Sequence, residues 1–205
     1  MSRRLIAILR GVEPARAVET GEALVEAGID WIEVPLNSPE PLASVAALQS
    51  ALGARARIGA GTVLTPAEVD AVAATGATFV VSPNCDPRVI GRAKALGLGA
   101  YPGVLTPSEC FAALEAGADA LKIFPASLMG PAGLKAVRAV LPAATRVFAV
   151  GGVGPGDFVT WRDAGADGFG LGGSLFQPGW PIARVAEAAR ASVRAWDGVY
   201  GFLQE

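Results

Sequence analysis

One phrase recurs along the chain, and it leaves few folds open. "EAGIDWIEVPL", "ATGATFVVSPN", "ALGLGAYPGV", "EAGADALKIFP" and "DAGADGFGLGG" each run from a helix-like segment through a Gly and a few small or polar residues into a short apolar run. Glycine is the residue that ends helices most readily, and a short run apolar at every position suits a parallel strand covered on both faces. Each phrase is therefore an αβ unit. The helix-ending glycines fall at Gly28, Gly53, Gly76, Gly97, Gly117 and Gly165. Their spacing is 20 to 25 residues, except for one gap of 48 that contains "TRVFAVGGV" and hides a further unit.

With the opening "LIAILRG" this makes eight apolar runs, near residues 5–10, 31–36, 56–61, 79–83, 99–103, 120–124, 147–151 and 168–172. A helical segment follows each. Two of these, "TPAEVDAVAAT" and "TPSECFAALEA", open on Thr-Pro-x-Glu, which predicts Thr as N-cap and Pro in the first turn. Eight βα units in 205 residues predict an α/β fold, a (β/α)8 TIM barrel forming a single domain over residues 1–205. Residues 196–205, "WDGVYGFLQE", are expected to form a C-terminal tail. An open doubly wound sheet is the alternative, but its G-x-G-x-x-G fingerprint is missing from the first βα turn, which is "LRGVEP".

Composition removes several kinds of function. A net charge of −2 with no run of Lys or Arg gives no electrostatic footprint for nucleic acid. The apolar stretch after the N-terminal arginines is five residues long, too short for a signal peptide or a membrane span, so a cytoplasmic protein with no membrane partner is expected. Cys85 and Cys110 have neither framework nor metal-ligand spacing and are expected as free thiols. There is no histidine, which disfavours zinc sites and imidazole catalysis; no metal and no cofactor are expected. Carboxylate, lysine, hydroxyl and backbone groups are left to do any chemistry.

In a barrel of this kind the chemistry sits at the C-terminal ends of the strands. Those ends carry Arg10, Glu33, Thr62, Ser82, Asn84, Lys122, Gly151, Gly152, Gly172, Gly173 and Ser174. Lys122 stands out because "ALKIF" otherwise has the pattern of a buried strand, and lysine is seldom buried without a reason. The other lysines, Lys94 and Lys135, lie in helical segments whose solvated faces explain them. The strands of Glu33 and Lys122 are four places apart in a ring of eight, hence opposite, so the two side chains point toward one another. A structural ion pair is one explanation; a lysine desolvated by Ile123 and Phe124, with a lowered pKa and a nucleophilic amine, is the other. An amine that forms an iminium, beside a carboxylate acting as general acid/base, has the equipment of a Schiff-base aldolase. The corners "AVGGVGPGDF" and "GLGGSLF" follow the seventh and eighth strands, where backbone N–H groups of such barrels hold phosphate; tight turns alone would also account for them.

"LIAILRG", "IEVPLNSP", "IGAGTVLTP", "VVSPN", "ALKIFPAS" and "VFAVGGV" together resemble the class I aldolases for 2-keto-3-deoxy-6-phosphogluconate and its galactonate epimer, over residues 5 to 180. The resemblance implies that Lys122 is the Schiff-base lysine and Glu33 the general acid/base. It also implies Arg10 and Thr62 as substrate ligands, and Gly151, Gly152, Gly172, Gly173 and Ser174 as the phosphate region. Substrate and products would be a phosphorylated keto acid, pyruvate and glyceraldehyde 3-phosphate, and the assembly a homotrimer. Pro35 and Asn37 after Glu33, and Val150 before the glycine pair, depart from the phosphogluconate pattern and favour the phosphogalactonate branch, whereas "GGS" at 172–174 fits either. Where that other pattern has an arginine, this chain has Asn37, and Arg10 is placed to substitute for it. A phosphogluconate aldolase or an enzyme that takes both epimers is the alternative; a noncovalent phosphosugar isomerase or epimerase, or a noncatalytic phosphosugar-binding barrel, would also fit the fold.

Overall fold

The computed structural model describes residues 3–201. Strand and helix alternate except at one pair of successive strands: β1 (Leu5–Ile8), α1 (Pro14–Ala27), β2 (Trp31–Pro35), α2 (Pro41–Leu52), β3 (Arg57–Gly61), α3 (Pro66–Ala73), β4 (Phe79–Val81), α4 (Pro87–Ala95), β5 (Gly99–Tyr101) and β6 (Gly103–Val104). Then follow α5 (Pro107–Glu115), β7 (Leu121–Ile123), α6 (Ala126–Arg138), β8 (Val147–Val150), a 3-10 turn (Pro155–Asp157), α7 (Phe158–Asp163), β9 (Gly168–Leu171) and α8 (Ile182–Tyr200). All pairings are parallel, in the order β5-β4-β3-β2-β1-β9-β8-β7-β6.

The two ends of that order, β5 and β6, are consecutive in the chain and separated only by Pro102. Proline has no N–H to give to a ladder, so the fifth expected strand divides there, one half pairing with β4 and the other with β7. The ring closes through this residue, and the eight expected strand positions are all filled.

Local chemistry starts and stops the helices as expected. Thr65 and Thr106 each accept from the N–H three residues on, while Glu68 and Glu109 return the bond to the cap backbone. Gly28, Gly76, Gly97, Gly117 and Gly165 adopt positive φ behind their helices, but Gly53 does not; its φ of −57° continues the right-handed turn.

Strand alternation divides the apolar residues into two sets. Leu5, Ala7 and Leu9 face outward to the helices, whereas Ile6 and Ile8 face the barrel interior. The interior is filled by Trp31, Phe79, Tyr101 and Phe148, whose ring centroids lie 5.7–6.0 Å apart in tilted, stacked and edge-on contacts. This aromatic plug closes the barrel below the C-terminal ends of the strands.

The expected tail is corrected by the structure. Trp196 to Tyr200 form the end of α8, with Trp196 2% exposed and stacked on Tyr200 at 4.1 Å. Tyr200 donates to the Ala166 carbonyl at 2.7 Å, and Arg3 donates to Asp197 at 2.7 and 2.9 Å, so apolar packing and a bidentate ion pair hold the segment to the barrel wall. The rest of the tail, 202–205, lies outside the described residues.

Candidate active site

Lys122 shares its strand face with Ala120 and Phe124, and Glu33 shares its face with Trp31, so both point into the barrel. In the closed ring β2 and β7 are opposite. Lys122 is 7% exposed and Glu33 2%, and both face the same apolar interior, with Ile8, Val81, Tyr101, Phe148 and Val150. Phe124 places its ring 4.6 Å from Lys122 Nζ. Ile123 does not desolvate the amine as expected: it is packed outward among the helices, because neighbouring residues of a strand face opposite ways.

Burial acts on the two groups in opposite directions. It lowers the Lys122 pKa from the ordinary lysine value, assisted by the positive charge of Arg10 and opposed by Glu33. It raises the Glu33 pKa, against the attraction of Lys122 and Arg10. Each group is pushed toward its neutral form. Among the described residues no ion pair within 4.0 Å joins them, and Glu33 Oε2 is buried with no hydrogen-bond partner. An orphaned carboxylate oxygen below a desolvated amine is a poor stabilising device. Accordingly, the Glu33→Met, Lys122→Met double variant is expected to be more stable than the parent by about 1–4 kcal/mol. Urea unfolding checks this, and a lower midpoint would mean that the pair holds the barrel together.

Gly61 is what gives Glu33 its space. A Cβ on Gly61 would stand 2.8 Å from the Glu33 carboxyl carbon and 2.9 Å from both oxygens. Thr62 follows with a φ of 58°, a left-handed conformation that costs a β-branched residue on the order of 1–3 kcal/mol.

Above Lys122 a cavity of about 610 Å³ opens at the C-terminal ends of the strands. Arg10, Lys122, Gly151, Gly152, Gly172, Gly173 and Ser174 line it together; Glu33 lies beneath, and Thr62 stands outside the lining, at the end of β3. Ser82 and Asn84 are not drawn in either: the Ser82 hydroxyl donates to the Val63 carbonyl at 2.7 Å, a structural bond. Gly151 and Gly152 adopt φ of 93° and 79°, and a Cβ on Gly152 would meet Ser127 at 2.8 Å, so the corner needs glycine. The second corner is a turn in which the Gly172 carbonyl accepts from the N–H groups of Leu175 and Phe176 at 2.8 and 2.9 Å. Within the described residues, the N–H groups of Gly152, Val153, Gly173 and Ser174 donate to no protein acceptor. Free N–H groups on two facing corners suit an anion.

Further contributors emerge from the fold: Asn37 gains a role beyond replacing an arginine, and Phe176, Gln177 and Pro178 carry no signal in the sequence. Arg10 Nη1 donates to Asn37 Oδ1 at 2.5 Å, so Asn37 orients the cation. Phe176, Gln177 and Pro178 also line the cavity, and Gln177 Nε2 donates to the Gly173 carbonyl at 3.1 Å. Among the described residues no group of three His, Cys, Asp or Glu could hold a metal ion.

A closed parallel barrel with a desolvated amine at its mouth, a buried carboxylate beneath it and a glycine cradle above has the equipment of an aldolase. The chain belongs to the KDPG and KHG aldolase family, whose model matches residues 1–185. It is 50% identical over 192 residues to the 2-dehydro-3-deoxy-6-phosphogalactonate aldolase of Escherichia coli K12, covering 94% of each chain. It is 47% identical to a probable 2-dehydro-3-deoxy-6-phosphogalactonate aldolase of Rhizobium meliloti, over 100% of this chain and 96% of that one. The solved native KDPGal structure superposes with a TM-score of 0.96 at 48% identity, covering 98% of this chain and 97% of the other.

Proposed function

We propose that this protein cleaves 2-dehydro-3-deoxy-6-phosphogalactonate to pyruvate and D-glyceraldehyde 3-phosphate through a Schiff base on Lys122. The observation that carries the proposal is the desolvated Lys122 amine at the cavity and, in the apolar space beneath it, the Glu33 carboxyl with its Oε2 unpartnered. The neutral Nζ adds to the C2 carbonyl, and the carbinolamine loses water to give an iminium. Glu33 accepts the C4 hydroxyl proton, the C3–C4 bond breaks, and its electron pair enters the iminium to form an enamine while the aldehyde departs. The same carboxyl returns a proton to C3, and water hydrolyses the iminium to pyruvate and free lysine.

Arg10, held by Asn37, supplies positive charge on the β1 side. Thr62, next in the chain to the Gly61 that faces the carboxylate, is a second substrate ligand in this scheme, and the corners at Gly151–Gly152 and Gly172–Ser174 take the phosphate. The whole chain acts as one domain, in the cytoplasm and as a homotrimer; the exposed Phe111, Leu128 and Val159 are surface that self-association would cover. No nucleic acid or membrane takes part; among the described residues no helix is long and apolar enough to cross a membrane.

Product analysis with both C4 epimers tests reaction and specificity together. Pyruvate released faster from the galactonate epimer supports the proposal; release from the gluconate epimer alone would reassign the substrate, and none from either would remove the function. A noncovalent isomerase would leave both carbon chains intact.

Gly61→Ala is expected to lower kcat about 10²-fold by displacing the Glu33 carboxyl on the order of 1 Å. Steady-state rates measure it, and an unchanged kcat would show that the position of Glu33 is immaterial.

A further inference from the structure

The barrel has a second concavity at its other end. Below the aromatic plug, at the N-terminal ends of the strands, a cavity of about 180 Å³ is floored by Trp31, Tyr101 and Phe148. Three arginines from three separate strand entries ring it: Arg4 before β1, Arg57 at the start of β3 and Arg146 before β8.

Their charges are poorly matched by the protein. Asp119 also lines the cavity, but its oxygens accept from Lys94 Nζ at 2.8 and 2.6 Å and from the Ala100 N–H at 2.8 Å, so its charge is met. Arg4 reaches Asp167 only at 4.0 Å, while that carboxylate is already held by Arg138 at 2.7 Å and the Val147 N–H at 2.8 Å. Neither Arg57 nor Arg146 has a carboxylate within 4.0 Å among the described residues. Arg57 instead lies over the Trp31 ring, 3.9 Å from its centroid. With Asp119 matched by Lys94, three guanidiniums face the single charge of Asp30, an excess of two positive charges around a walled concavity. Such walls concentrate the field, and guanidiniums bind phosphate oxygens through paired, charge-assisted hydrogen bonds. We propose that this cavity is a second anion site, separate from the catalytic mouth, that takes a small dianionic phosphate, as the free ion or a short phosphate ester.

Aromatic rings at the floor give the ester's carbon body an apolar surface, and the stacked Arg57 makes Trp31 a reporter. An anion that engages the guanidinium alters the cation–π contact and hence the tryptophan emission.

The test titrates inorganic phosphate, and separately glycerol 3-phosphate, into the full chain by calorimetry and tryptophan fluorescence. Ser174→Asp first removes anion binding at the catalytic mouth by like-charge repulsion. In that background one phosphate per chain is expected to remain, with a change in emission. Adding Arg57→Ala and Arg146→Ala is expected to weaken it about tenfold or more, the loss of charge-assisted hydrogen bonds. Arg146→Glu alone, at an exposed and unpaired side chain, gives the same readout should the larger variant fail to fold. Preference for glycerol 3-phosphate assigns an ester, and preference for phosphate assigns the free ion. Loss of all phosphate binding in Ser174→Asp, or unchanged affinity in the arginine variants, overturns the site whether or not the aldolase activity is confirmed.

Discussion

Lys122→Arg is expected to leave the barrel folded and to remove turnover by roughly 10⁴-fold or more, the scale at which loss of a covalent nucleophile is felt. Arginine keeps the positive charge but stays protonated, so it has no lone pair to add to a carbonyl. Lysine at this position differs for a physical reason: burial beside Phe124 and the charge of Arg10 favour its neutral form, and Glu33 opposes them only in part. Some free amine is therefore present below the pH at which an exposed lysine would titrate. Borohydride added with pyruvate should trap the iminium as a secondary amine on the peptide that contains Lys122. The other two lysines serve as internal controls, since Lys94 is engaged by Asp119 at 2.6 Å and Lys135 lies on α6. A label on either of these, or no label during turnover, would take the nucleophile away from Lys122.

Lys122 could be picked out in the sequence because two periodicities disagree there. A strand covered on both faces should be apolar throughout, and one charged residue inside it needs a cause. The same logic placed all eight strand positions, since each helix-ending glycine and each apolar run is a local signal. The division at Pro102 is also local, yet its meaning depends on two neighbouring strands that pair with different halves of one run.

Other features depend on contacts across the chain that no local pattern carries. Gly61 looks like one more turn glycine in "GAGT" until the ring of strands brings Glu33 against it. In the sequence Asn37 marks only the loss of an arginine; that its oxygen holds Arg10 shows in the fold. The segment from Trp196, expected as a tail, carries no local sign of its contacts; in the fold Asp197 is the partner of Arg3, 194 residues away. The expectation that Ile123 helps Phe124 to desolvate Lys122 fails on alternation alone, which forbids adjacent residues of a strand from sharing a face.

Glu33→Gln is expected to lower turnover by roughly 10²–10⁴-fold, the usual contribution of a positioned general acid/base. The amide keeps the shape of the side chain, which matters because the carboxyl fills the space that Gly61 leaves open. What it loses is the ability to take up and return a proton. The raised pKa of Glu33, caused by burial and only partly offset by Lys122 and Arg10, brings the carboxyl closer to neutrality than an exposed glutamate and so improves it as a proton donor to the enamine. Exchange of the pyruvate methyl protons with solvent isolates this step, since it needs the iminium and the base but neither the aldehyde nor the phosphate cradle. It should fall in parallel with turnover, while borohydride still labels Lys122 in the variant. Exchange at the parental rate would leave Glu33 as an electrostatic neighbour of the lysine, and the proton would then have to pass through another group, such as a water held beside Thr62.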